Sequence, residues 1–284
     1  MRNTIKSVIV IIASVIGFGA NAQTKSESNS LLWEVSGNGL AKSSYLYGTM
    51  HMMCEKDFMI PEKAKKAFGK SDKLALEIDL DDPAELQYMQ KMSLANEPLS
   101  KVLSKEEYQK LDGFLKETVG VGASQFENSN MLSIMSVVMM KALSCPPKMF
   151  EMEFLQMAIQ RKMETIGLEK IQDEVTAFDK SYSNEEFIEQ LKYYDSKLFQ
   201  DMSKVYNSEK LDELYAMVID KKFMDDNTRH WMLDFRNENW MKSIPELMKK
   251  ESVFFAVGAG HLAGEKGLIM LLRKAGYTLK PVMK

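Results

Sequence analysis

Hydrophobic positions along the chain follow two periods, and their order predicts a layout. Near the amino end, residues 31–35 and 44–47 are short β-favouring runs on either side of Gly37-Asn38-Gly39, the composition of a β-hairpin. Residues 61–68 fit a short helix opened by Pro61. Residues 73–80 (KLALEIDL) alternate like a strand, after which Asp81-Asp82-Pro83 opens a helix. The period then becomes helical. Ser104 with Glu107 and Ser183 with Glu186 both have capping-box spacing, each ahead of apolar residues three and four apart. Residues 131–143 read as a buried helix stopped by Pro146-Pro147, and 148–162 as an amphipathic one. A short β-like piece, 164–169, interrupts the helices, which resume to about 219 and again from about 226 to 250. The chain closes with a strand at 253–257, a helix at 267–274 and a last strand at 277–282.

Strands at both ends with helices between them predict a mixed α/β (α+β) fold. A central mixed sheet is built from the two chain ends and flanked by helices, and the middle region is mostly helical. On this reading residues 23–284 form one domain with a helical insertion at about 83–250. The final β-α-β segment should make a right-handed crossover if its strands are parallel.

The first residues differ in character. Arg2 and Lys6 precede an apolar run, 8–18, that is short for a membrane span, and Ala20-Asn21-Ala22 matches a small-x-small cleavage site. This predicts a signal peptide, 1–22, and an exported protein, periplasmic or secreted, without a membrane span after cleavage; retention as an anchor is the alternative. The composition of the whole chain, 45% hydrophobic and 27% charged, suits a soluble globular domain. A formal net charge of −3 gives no electrostatic reason to expect nucleic acid. Cys54 and Cys145 are the only cysteines, and two cysteines in an exported chain predict a disulfide between them.

Chemistry concentrates in a repeated phrase. Gly48-Thr49-Met50-His51 and Gly258-Ala259-Gly260-His261 each follow a β-favouring run, and they hold two of only three histidines. A strand ending in Gly-x-x-His presents an imidazole at its carboxyl end, where sites collect in sheets flanked by helices. Two such ends brought together suit a divalent metal ion. Glu77 lies inside the apolar strand and must be paired, metal-bound or on a wet edge. It is a candidate metal ligand or general base, with Asp79 on the same face a weaker candidate. Glu169, ending the 164–169 piece, is a possible further site residue.

Arg236 and Trp240 stand one helical turn apart, within stacking reach, and Arg236 is a fixed cation suited to a carboxylate or an oxyanion. His230 shares a face with Asp234 and reads as a surface pair. The many methionines, including Met50, Met52, Met53, Met131, Met135, Met139 and Met140, admit a copper cluster. The helical spacing of Met131, Met135 and Met139 instead predicts a packed face. The Gly-rich run after His261 lacks the Gly-Lys-Ser/Thr of a P-loop, and neither Gly-x-Ser-x-Gly nor His-Glu-x-x-His occurs.

Taken in order, YLYGTMH (45–51), ALEID (75–79), GLE (167–169), RNENW (236–240) and FFAVGAGHLAGEKGLIMLLRKAGY (254–277) resemble the TraB/PrgY/GumN family, which is related to the Tiki metalloproteases. The resemblance spans nearly the whole chain after residue 22. It implies that His51 and His261 are metal ligands with Glu77 as their acidic partner, and that Arg236 and Asn237 line the same cleft. It further implies a divalent ion (Mn, Co, Zn or Fe) and a peptide or protein substrate. The expectation is an exported metal-dependent hydrolase of peptidase type, since a family namesake inhibits a peptide pheromone. The alternative is a non-catalytic binder of haem, iron or a small ligand, because related folds serve that purpose as well.

Overall fold

The computed structural model describes residues 29–92, 94–95 and 97–283. The signal-peptide reading of residues 1–22 lies outside the described residues. Eight strands form among them: β1 (Leu32–Ser36), β2 (Ser44–Thr49), β3 (Met53–Cys54), β4 (Lys73–Ile78), β5 (Pro147–Lys148), β6 (Glu164–Glu169), β7 (Val253–Gly258) and β8 (Thr278–Pro281).

The hairpin at the amino end is present. β1 and β2 pair antiparallel with Leu32 opposite Tyr47, and Gly37, Asn38 and Gly39 turn the chain at positive φ, which glycine and asparagine adopt most readily. The main sheet has the order β6-β4-β7-β2-β1-β8. Its first four strands run parallel, β1 reverses, and β8 pairs antiparallel with β1. The fold is therefore the mixed α/β architecture expected, with one difference. β6, from within the helical middle, adds to the sheet beside β4. That addition places β4 between two neighbours, where it is buried on both faces. The wet-edge reading of Glu77 is thereby excluded, since its side chain is enclosed.

Helix signals are realised locally. Ser104 and Ser183 each close a capping box with Glu107 and Glu186, and Met131–Leu143 begins on the Asn130 cap. Tyr47, Phe68, Phe150, Phe154 and Phe254 form an aromatic cluster that packs β2 and β7 against the helices Glu62–Lys70 and Phe150–Arg161. Truncating a ring of this kind to alanine costs about 3–5 kcal/mol. A second apolar cluster, around Leu111, Leu115, Ile134, Val138 and Leu191, holds the helical middle together. Met135 belongs to that cluster and Met53 to the main core, in line with packing. Met140 is exposed, and Met50 and Met139 also border a cleft.

β3 and β5 make a separate two-stranded ribbon, with Cys54 opposite Pro147. The Cys54–Cys145 disulfide closes beside it, with the Cα atoms 5.6 Å apart. The helical run after residue 225 divides into Asp226–Arg229, a π-helical turn His230–Asp234, and Phe235–Trp240. Such turns re-aim side chains and recur at functional sites.

Candidate active site

Because β6, β4, β7 and β2 are parallel neighbours, their carboxyl ends lie along one edge of the sheet. Glu169, Glu77, Gly258 and Thr49 occupy those ends, and His261 and His51 follow the last two within three residues. Close approach of β2 to the turn after β7 requires Gly48. A methyl group there would stand 3.0 Å from the Ala259 Cβ and 3.1 Å from Leu262. The Gly48 carbonyl accepts a 2.9 Å hydrogen bond from the buried Tyr206 hydroxyl, fixing the turn that carries His51.

Gly258 marks where the predicted residues meet. A methyl group at this position would lie 3.2 Å from Glu77 Oε1, 3.6 Å from His51 Nε2 and 3.6 Å from His261 Cδ2. Its own N–H donates to Glu77 Oε1 at 2.6 Å. The structure thus brings His51, Glu77 and His261 around one backbone position, where an added methyl group would press on the Glu77 carboxylate.

Each imidazole is oriented through its other nitrogen. The Asn237 amide nitrogen donates to the His261 and Lys266 carbonyls, so its oxygen is left to accept from His261 Nδ1, 2.8 Å away. This fixes the tautomer and leaves the Nε2 lone pair of His261 free of a proton. His51 Nδ1 lies 3.1 Å from Glu151 Oε1, which also accepts from the Thr49 hydroxyl at 2.7 Å. Burial is the largest influence holding His261 far below the ordinary imidazole range, at about 3, against the pull of Glu77. The His51 side chain is largely exposed, and the partial loss of water at its ring acts downward, but the Glu151 carboxylate outweighs it and raises the pKa to about 10.

Arg236 sits at the centre of the carboxylates. Nη2 donates to Glu77 Oε2 at 2.6 Å and to Glu169 Oε1, Nε donates to Glu169 Oε1 at 2.8 Å, and Nη1 faces His261 Nε2 at 3.3 Å. Burial pushes Glu77 upward, yet Arg236, both histidines and the Gly258 N–H hold it well below the usual carboxylate range. In Glu169 burial prevails over Arg236, and the shift is upward. Trp240 Nε1 donates to Glu169 Oε2 at 3.0 Å, and the Arg236 guanidinium lies 5.1 Å from the Trp240 ring centroid, so the stacking expected from their spacing is present.

Two candidates stay apart from this group. Asp79 Oδ1 accepts from the Asp81 N–H and serves the following turn. His230 is exposed, in ring contact with Trp231 and Phe235, and makes no side-chain hydrogen bond or ion pair to Asp234; Asp234 instead lies 3.8 Å from Arg229. His230 still stands near enough for its charge to act on Asp234, so the surface pairing is through space, without a hydrogen bond, beside the aromatic contact.

Glu151 and Thr49 are the residues that sequence reasoning missed. Glu151 lies on the buried stripe of its helix with Phe150, Phe154, Leu155 and Ala158, and an acid inside an apolar stripe was the available signal.

Two imidazoles with tied Nδ1 atoms and one carboxylate form a donor set chemically suited to a divalent ion. Bonds from zinc to such donors are about 2.0–2.2 Å. Among the described residues no group of three His, Cys, Asp or Glu stands close enough to hold an ion, so the fit is one of donor identity alone: His261 Nε2 faces Arg236 Nη1, and both Glu77 oxygens accept from Gly258 or Arg236.

Comparison with known proteins gives these residues a context. The chain is 24% identical to the zebrafish (Danio rerio) protein Metalloprotease TIKI1 over 90% of its own length and 64% of that protein. It is 23% identical to Metalloprotease TIKI2 of Xenopus tropicalis, covering 91% of this chain and 61% of the relative. Against human Metalloprotease TIKI1 the identity is 23%, over 92% of this chain and 64% of the relative. The chain therefore spans less than two thirds of the length of these relatives. No solved structure matches it. The TraB/PrgY/gumN family profile matches residues 31–281, which include every strand and every residue of the edge just described, so the chain belongs to that family.

Proposed function

We propose that this protein is a metal-dependent hydrolase of peptides or proteins, with its site at the shared carboxyl edge of β2, β7, β4 and β6. One observation carries the reading. His51 and His261 both engage an oxygen acceptor through Nδ1, and both flank Gly258 opposite the buried carboxylate of Glu77. Histidine ligands of metal ions are oriented through the second nitrogen in this way. His51, His261 and Glu77 would hold the ion. When bound, it supplies an acidified water and a polarised carbonyl.

The chain's own groups do the rest. Asn237 keeps the His261 proton on Nδ1; Glu151 accepts from His51 Nδ1, so the proton that His51 would give up on binding an ion is the one on Nε2. Arg236 holds Glu77 ionised and, with its donors engaged within the protein, would act on a developing oxyanion through its field rather than by a direct hydrogen bond. Trp240 and Glu169 fix the guanidinium plane. Manganese, cobalt, zinc and iron all suit this donor set.

The metalloprotease names of the relatives support peptide chemistry. The haem binder finds less support, because the cavity at the histidines is about 250 Å³, below the roughly 300–1,000 Å³ of small-molecule and cofactor sites. Export is part of the same proposal. It rests on the leader-like residues 1–22 and on the Cys54–Cys145 bridge, a bond that persists in oxidising compartments. Among the described residues no helix is long and apolar enough to cross a membrane.

The test is metal analysis of purified protein together with hydrolysis of a peptide library. Turnover that requires the metal and disappears with chelator is the expected result. A metal-replete protein that binds peptides without cleaving any would sink the hydrolase reading.

A further inference from the structure

The cavity that opens onto the histidines has a wall that hydrolytic chemistry does not require. Six methionines line it: Met50 and Met52 on either side of His51, and Met139, Met202, Met224 and Met232 from the helical middle. Most of the remaining lining is aliphatic or aromatic, and the polar groups are His51, His261, Arg236 and the Tyr194 hydroxyl. The Arg236 donors are engaged by Glu77, Glu169, the Met232 carbonyl and His261. The π-helical turn divides the two environments. Met232 and Leu233, within it, line the cavity, while Asn237, further along, holds His261.

We infer that this cavity is a specificity subsite that receives one bulky apolar side chain of the substrate, next to the bond presented to His51, Glu77 and His261. The inference rests on the hydrolytic reading for the word substrate, but the cavity's preference for apolar groups stands on its lining alone. At about 250 Å³ it is smaller than a site for a whole small ligand and ample for one large side chain. Its position follows from continuity, since the residues at its polar end are the candidate ligands themselves. Unbranched thioether side chains rotate easily and refill irregular space, so a methionine wall selects size and apolarity rather than one shape. Leucine, methionine and phenylalanine side chains all qualify. Against the thioether and aliphatic wall a charged side chain would lose its water without gaining a partner, and glycine or alanine would leave the cavity unfilled.

Two measurements on the full chain test this. In the first, methionine methyl groups are labelled with carbon-13 and assigned by single Met→Leu substitutions. The protein is then titrated with N-acetyl amides of leucine, phenylalanine, aspartate and glycine. Leucine and phenylalanine amides should shift the methyl resonances of Met139, Met202, Met224 and Met232 while leaving exposed Met59 unmoved, and the aspartate and glycine amides should shift none. In the second, a peptide library varied at one position at a time is cleaved by the metal-loaded protein. At one position next to the cut, large apolar residues should exceed glycine and aspartate by at least about tenfold in kcat/KM.

Met202→Trp, which fills the cavity, should erase that preference while peptides with small residues are still cut. Turnover without apolar preference, or equal methyl shifts from all four amides, overturns the subsite and leaves the hydrolase reading intact. Selective methyl shifts without turnover on any peptide support the apolar subsite and overturn the hydrolase reading instead.

Discussion

Glu151 Oε1 lies 3.1 Å from His51 Nδ1, across 100 residues of sequence. The Glu151 side chain is buried, and its second oxygen has no hydrogen-bond partner. The structure therefore retains a costly carboxylate whose visible use is to orient one imidazole and the Thr49 hydroxyl. Glu151→Gln keeps the shape and removes the charge. We expect metal affinity and turnover to fall by about 10–100-fold, the usual effect of losing a carboxylate behind a histidine ligand. Stability to urea should hold or rise, since a buried charge has gone. Wild-type metal affinity in this variant would remove Glu151 from the site.

A second prediction concerns the disulfide. Cys54 follows His51 by three residues, and Cys145 precedes Glu151 by six, so the bridge and the β3–β5 ribbon clamp the two halves of that contact. The sequence separation of 91 corresponds to about 4–5 kcal/mol in the loop-entropy account of disulfides. Replacing both cysteines by serine should lower unfolding free energy by a few kcal/mol and weaken metal binding as well. Equilibrium urea curves and metal titration measure the two effects separately. A variant as stable as wild type, with unchanged metal affinity, would show that the clamp has no such role.

Arg236 supports the third. Its fork joins Glu77 to Glu169 and also faces His261, a pattern a lysine ammonium cannot reproduce. Arg236→Ala leaves two enclosed carboxylates unpaired and should cost about 3–5 kcal/mol. Arg236→Lys should recover much of that stability and little of the activity. If the lysine variant turns over peptides at the wild-type rate, the fork geometry is unimportant.

The chain's own pattern named several of the residues that meet at this edge, for physical reasons that can be stated. Gly-x-x-His after a β-favouring run is a local signal, because strand, turn and imidazole adjoin in sequence. Capping boxes at Ser104 and Ser183 are local too, and both form. Glu151 was not legible as a site residue because its meaning depends on where the helix Phe150–Arg161 packs against β2, a long-range fact. β6 was visible as a β-like piece, but its place beside β4 follows from tertiary pairing, and that pairing encloses Glu77. The methionines illustrate the same limit. Spacing predicted a packed face, and Met135 lies on one, yet Met139 from the same helix reaches the cleft wall.

The last prediction tests whether His51, Glu77 and His261 act as one unit. All three surround Gly258, and each histidine has its own acceptor behind it, so loss of any one removes a donor that the others cannot replace. His51→Ala, Glu77→Gln and His261→Ala should each reduce metal content and abolish turnover to a similar degree. Pairs of these substitutions should cost little more than one, since residues acting together are strongly non-additive. Chelation of the wild type should reproduce the single-variant phenotype, and added metal should reverse it. Far-ultraviolet circular dichroism should remain that of wild type for His51→Ala, because that side chain is largely solvent-exposed and outside the core. His230→Ala is the control. It lies on the surface beside Trp231 and Phe235 and should keep full metal content and activity. If the His51 and His261 variants retain a full complement of metal, or if His230 proves as necessary as either, the proposed site is wrong.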